Sequence, residues 1–380
     1  MTATIPSLAA LTGALRLVPG APLPDNLSST RPALASRFCR GRSVRVLPDL
    51  LAALFSLCGH AHRLCAQLAI AAAAPELPAP EVPVLMARLR RETALEHLRR
   101  IGLDWPRLLD MSVAEAAAGA LRACPLPGRD QSADGGWRAL RGWLATELLR
   151  LPGEHWLAAW DTHGADWLHD WSQYRDGWLA TMLAAARAAD DPAPVEPALA
   201  LRLHAPEAAA DLAAFGAALD ADPALALQPR WRGACAHTGV WTRLCHPAPP
   251  PLTAWSLLGA RIAELIRLSG PDEDGAGLLR CGALLTGPRR GLAWVEMARG
   301  LLLHQVTLDG EGEAATIRAC QVVAPTEWNF HPEGVVAQAL ARLPLDPADE
   351  QRRRANLLMA AFDPCLPFTL AKPGEEGAHA

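Results

Sequence analysis

Two thiols and two imidazoles crowd into the run Cys58-Gly59-His60-Ala61-His62-Arg63-Leu64-Cys65. On a helix, Cys58, His62 and Cys65 share one face at i, i+4 and i+7. Thiolate and imidazole suit zinc, iron or nickel, and a helix start acidifies a thiol. Buried core cysteines beside a chance histidine account for this spacing equally well. A second candidate is Phe362-Asp363-Pro364-Cys365, a thiol after a turn-prone pair, which taken alone reads first as a core cysteine. The third is split: Arg299 lies beside Gly300 in Glu296-Met297-Ala298-Arg299-Gly300, and Thr326 follows Pro325 in Gln321-Val322-Val323-Ala324-Pro325-Thr326-Glu327-Trp328-Asn329. Singly, these are a surface arginine and a turn threonine. No Asp or Asn orienter accompanies Cys58 and its histidines, which disfavours a cysteine nucleophile.

The elements that must position these groups are mostly helical. Pro48 suits a first helical turn, and Asp49 to Ala74 reads as a buried helix pair or one broken helix. An amphipathic helix is predicted from Pro83 to Ile101, its polar face set by Arg88, Arg91 and Glu92. Further helices are expected over Val113 to Ala123, Gly136 to Leu151, Asp176 to Ala188 and Leu252 to Leu268. Trp156, Trp160, Trp167, Trp171 and Trp178 are spaced to fit one helical face, and an apolar core stripe is favoured over a stacking platform. Gly13 to Val18 alternates like a short strand, and Gly20 to Pro32 reads as a surface loop. Ala188 to Pro197 and Pro247 to Pro251 read as connectors, and Ser269 to Gly275 as a solvated turn rather than a calcium loop. Leu301 to Leu308 and Ala315 to Ala324 read as a β-hairpin around the polar turn Asp309 to Glu313. The expected fold is mainly α with a small β component, one domain over 1–372 and a flexible tail over 373–380.

Composition agrees. Ala and Leu dominate the apolar half of the chain, and 13 Trp stand against one Tyr and six Phe, a bias toward helix. The net charge of −4 is spread with mixed sign, so no footprint for nucleic acid or anionic lipid exists. No membrane insertion is expected, the N-terminus lacks the pattern of a secretory signal, and the nine scattered cysteines read as thiols, ligands or core in a reducing, cytoplasmic setting.

In order along the chain, the three candidate segments resemble the active-site motifs of nickel-iron hydrogenase large subunits. Cys58-Gly59 fits the first half of the family's R-x-C-G-x-C-x-x-x-H, with Ser56, Ala61 and Cys65 in place of its Arg, second Cys and His. Asp363-Pro364-Cys365 matches the start of D-P-C-x-x-C-x-x-H, with Phe368 and Ala371 at the later positions. One thiol thus remains from each pair, and both cysteines that bridge nickel to iron in the family are absent. The acid of the family's N-terminal R-x-E-G-H has no counterpart before Pro32. Arg299 and Thr326 match the arginine and hydroxyl that hydrogen-bond the two cyanides on the family's iron; Ala298 replaces the Pro before that arginine.

This erosion is similar to that of the hydrogenase expression/formation proteins of the HupK/HoxV type, as is the run Glu92-Thr93-Ala94-Leu95-Glu96-His97-Leu98 with Leu103-Asp104-Trp105-Pro106. The resemblance implies a large-subunit-like fold and a non-catalytic scaffold for transient iron carrying cyanide and carbonyl ligands, with nickel not expected. Its metal ligands would be Cys58 and Cys365, supplemented by His62 or Cys65, with Arg299, Pro325 and Thr326 cradling the cyanides. Implied partners are hydrogenase maturation proteins, including the small chaperone and the iron-cofactor assembly protein, and the large-subunit precursor. Two other readings stay open: a divergent hydrogen-binding metalloenzyme or sensor, and a zinc-binding interaction protein using Cys58, His62 and Cys65.

Overall fold

The computed structural model describes residues 12–125, 133–187, 199–200, 203, 208–243, 252–271, 278–345 and 347–372. The expected connectors at 188–197 and 247–251, and the tail 373–380, lie outside the described residues.

Strand β1 (Leu15–Leu17) pairs antiparallel with β2 (Leu27–Ser29) and parallel with Phe368–Leu370 from the other end of the chain. The expected surface loop at 20–32 therefore contains a strand. It also contains Arg31, whose side chain is mostly buried.

Helix α1 (Leu47–Leu54) begins with Pro48 in its first turn, where a missing N–H costs nothing. A 3-10 turn over Ser56–Cys58 then leads into α2 (Gly59–Ala73), and the chain bends by 102° between the stretches Val44–Leu54 and Ser56–Ala73. Gly59 permits this corner: a Cβ there would lie 2.7 Å from the Ala52 carbonyl oxygen. The broken helix is as expected, and no single described helix is long and apolar enough to cross a membrane. Helix α3 (Val82–Arg99) runs on through a π turn to Asp104.

The tryptophan run is core, but not on one helix. Gly164 at φ 55° separates α4 (Gly153–His163) from α5 (Ala165–Tyr174), and Trp178 opens a third helix. Trp156 stacks on Trp160 at 5.6 Å and meets Trp171 edge-on at 6.2 Å. The regular spacing survives because two helices folded back at one glycine still face a common core. That core also receives α6 (Ala254–Ser269), started by a Thr253/Ser256 capping box.

The expected hairpin is half of a larger sheet. Strands β3 (Cys281–Gly287), β4 (Arg290–Met297), β5 (Gly300–Asp309) and β6 (Thr316–Val323) form an antiparallel meander in that order. Ala293, Val295, Met297, Leu302 and Val306 enter the main core, whereas Leu292, Trp294, Leu301 and Leu303 join a second cluster with Phe215, Trp231 and Trp328. Both faces are thus covered, and the central strands lack the polar alternation of a half-exposed sheet. On the main face α2 comes very close: a Cβ on Gly291 would lie 2.0 Å from the Ala69 carbonyl oxygen. A short helix α7 (Pro325–Asn329) follows the sheet, then α8 (Ala348–Phe362).

Candidate metal-binding site

Cys58, Arg299, Pro325, Thr326 and Cys365 each sit where a regular element begins or ends. Cys58 closes the 3-10 turn at the corner before α2, whose first amides are satisfied by Glu92: its carboxylate accepts from His60 N–H at 2.8 Å and Ala61 N–H at 2.9 Å. Glu92, expected on the polar face of α3, is therefore a cap for the start of α2. Arg299 occupies the two-residue connection between β4 and β5, closed by the Met297–Gly300 pair and completed by Gly300 at φ 131°. Pro325 takes the first turn of α7 and Thr326 follows it. Asp363 caps α8 in the left-handed region at φ 54°, a conformation that Asp tolerates better than most residues, and this turn delivers Pro364 and Cys365.

These ends converge. The Thr326 hydroxyl lies 3.1 Å from Cys365 Sγ and accepts from the Cys365 N–H at 3.4 Å. Arg299 donates to Glu96 at 2.7 Å and its Nε stands 3.5 Å from Asp363. Cys58 and Cys365, both free thiols, lie close enough that a Cys365 thiolate would raise the cost of ionising Cys58, and both act on Arg299. Arg299 Nη1 is buried and has no hydrogen-bond partner among the described residues. A buried guanidinium nitrogen left unpaired costs free energy unless something occupies it.

The electrostatics set a protonated Cys58 thiol against a charged Arg299. Burial pushes the Cys58 thiol up to about 12, with Arg299 opposing and Cys365, Glu92 and Glu96 reinforcing. Burial also works against the Arg299 charge, but Asp363, Glu96 and the two thiols outweigh it and hold it protonated. Asp363 is held down at about 2: burial opposes ionisation, and Arg299, Arg100 and Arg261 prevail. Arg100 pairs with Asp363 directly, Arg261 reaches it at 3.1 Å, and Arg261 also meets His97 at 3.2 Å, which grips Glu264 at 2.6 Å. Behind the thiols the protein thus carries a buried ion-pair lattice that fixes the Arg299 head.

The other two sequence candidates turn elsewhere. His62 shares a hydrogen bond with His304 at 3.0 Å and stacks on Phe55 at 4.2 Å; burial keeps both imidazoles neutral, with the pKa of His304 down to about 3. Cys65 points at the sheet, its Sγ 3.5 Å from the Ala293 carbonyl oxygen. The helical face shared by Cys58, His62 and Cys65 therefore does not gather their donor atoms into one site. Sequence reasoning missed Arg31 and Glu327. Arg31 donates to Cys365 Sγ at 3.2 Å and pairs with Glu327 at 2.9 Å. Glu327 stood in plain view beside Thr326, but Arg31 lies in a stretch with no motif.

A scan against models of protein families gives no match. Among curated proteins, the chain is 40% identical to the hydrogenase expression/formation protein HoxV of Cupriavidus necator, covering 95% of this chain and 96% of that protein. The chain belongs to the hydrogenase expression/formation proteins of the HoxV/HupK type. The HupK protein of Rhizobium leguminosarum bv. viciae is 30% identical over 90% of this chain and 91% of its own length. The fold is that of hydrogenase large subunits. The nickel-iron-selenium hydrogenase of Desulfovibrio vulgaris Hildenborough aligns with a TM-score of 0.54 at 14% identity, over 89% of this chain and 92% of that one. The enzyme from Dm. baculatum gives 0.55 at 11% identity over the same shares. As a member of the expression/formation family the chain has a role in hydrogenase maturation.

Proposed function

We propose that this HoxV/HupK-type protein is a non-catalytic scaffold on which an iron ion bearing cyanide and carbonyl ligands is held before delivery to a hydrogenase large-subunit precursor. Cys58 and Cys365 supply two thiolates, and Arg299 and Thr326 face the cyanide nitrogens. The observation that carries this reading is the buried, partnerless Nη1 of Arg299 beside two free thiols. A cyanide on iron is a compact anionic acceptor, and a charge-assisted bond from a fixed guanidinium suits it. Thr326 already touches Cys365, so one hydroxyl rotation exchanges sulfur for cargo.

Burial raises the Cys58 thiol, so loading must displace its proton and the held ion is correspondingly easier to release. Two thiolates cannot build the four-thiolate nickel-iron centre of the enzyme, so nickel is not expected and hydrogen turnover is not the activity. The donors are expected to be the general maturation proteins, including the small chaperone and the iron-cofactor assembly protein.

The test is retention of iron by protein purified without oxygen from cells producing the maturation machinery. Cys58→Ala and Cys365→Ala should each lose the cyanide-bearing iron while folding normally. Retention equal to the parent protein in both variants would sink the reading. Hydrogen–deuterium exchange by nickel-replete protein would instead revive the enzyme or sensor.

A further inference from the structure

Outside the Cys58/Cys365 site, one donor atom from each of Cys235, His331 and Glu333 falls within 4.8 Å of the others, and no other such group of three occurs among the described residues. Cys235 Sγ lies 3.3 Å from His331 Nδ1. Tetrahedral zinc with bonds of about 2.0–2.3 Å holds its ligand atoms about 3.3–3.8 Å apart, so this pair already has the required separation. The Glu333 carboxylate currently pairs with Arg230, and its N–H donates to His331 Nδ1 at 3.1 Å. Both side chains of that ion pair are at least two-fifths exposed, so Arg230 can turn to solvent with little loss.

The two segments that carry the donors are already locked in register. Asn329 accepts from the Thr238 N–H at 3.0 Å and donates to the Thr238 carbonyl at 2.9 Å, tying the strand after Cys235 to the helix end before His331. A ligand set fixed by a bond between its own supporting segments loses little entropy on binding. The donors are also not isolated on the surface. His331, Glu333 and Arg230 line a cavity of about 450 Å³ whose wall includes Arg31 and Glu327, and Arg31 is the residue that touches Cys365.

We propose that Cys235, His331 and Glu333 form a second, mononuclear zinc site at the edge of this cavity, with a fourth position left to water or to a donor from a bound partner. Cys, His and Glu match the zinc donor set, and three protein ligands leave zinc one open position. The Glu333 N–H now donates to His331 Nδ1 at 3.1 Å, and zinc would take that lone pair in its place. Zinc here would clamp the loop at Cys235 to the end of α7, and so brace Thr326 and Glu327 five and four residues before His331. The site does not depend on the iron reading, since it shares no ligand with it.

The test is an oxygen-free titration of the full chain with cobalt(II), followed by zinc as competitor. One equivalent should bind with a thiolate-to-cobalt charge-transfer band and tetrahedral visible bands, both abolished by zinc. Cys235→Ala and His331→Ala should lose the charge-transfer band or bind far more weakly, with unchanged circular dichroism. The double variant Cys58→Ala/Cys365→Ala should keep it. No thiolate band, or a band that survives in Cys235→Ala and vanishes in the double variant, overturns the second site and leaves the iron reading standing.

Discussion

Arg31 bridges Cys365 and Glu327, donating to the sulfur at 3.2 Å and to the carboxylate at 2.9 Å. Neither partner is near Arg31 in sequence, and both Arg31 and Glu327 are mostly buried. The contact places a fixed cation at the thiol expected to ligate metal. It also ties the first strand pair to the last motif of the chain.

Removing this cation leaves Glu327 buried alone. Burial already pushes its carboxyl up and Arg31 holds it down. Arg31→Ala should therefore destabilise the protein by about 3–5 kcal/mol. The double change Arg31→Met/Glu327→Met should recover most of that loss, since it removes both charges together. Urea unfolding at neutral pH measures both. An Arg31→Ala variant within about 0.5 kcal/mol of the parent would show that the pair contributes nothing.

Cys58 should be chemically quiet. Its thiol is buried and raised to about 12, so little thiolate exists at pH 8. Iodoacetamide labelling followed by peptide mass spectrometry should leave Cys58 unmodified in the native protein and modify it fully in urea. Rapid native labelling would mean that the corner before α2 is open and the thiolate already formed.

Stability should fall as pH rises through the range of Glu296. Burial raises this carboxyl to about 7, with Arg243 only partly opposing. Its folded value lies above the ordinary 4.5, so the folded state holds a proton that the unfolded chain has lost. The contribution is complete below about pH 4.5 and fades as pH rises through about 7, a swing of about 3 kcal/mol at most. Glu296→Gln should remove that slope in urea midpoints measured between pH 5 and 8. An unchanged slope in the variant would assign it to another group.

Cys58, Arg299, Thr326 and Cys365 were legible through the order of segments that resemble the large-subunit motifs, and they do converge. Their supports were not. Glu96, Arg100, Arg261 and Asp363 form a buried lattice across α3, α6 and the end of α8, and long-range ion pairs leave no spacing in a sequence. Glu92 read only as part of a polar helix face because a cap on another helix has the same composition as such a face. Strands β3 and β4 escaped notice because β4 is covered on both faces and shows no polar alternation. The tryptophan spacing marked core but hid the chain reversal at Gly164.

The most direct measurement is infrared spectroscopy, with iron and nickel analysis, on the protein purified without oxygen from cells that express the hydrogenase maturation machinery. Cyanide and carbonyl stretching bands with iron and no nickel, shifted in the cyanide region by Arg299→Lys, are the predicted result. Absence of these bands from protein that contains iron, or bands accompanied by stoichiometric nickel, would contradict the account.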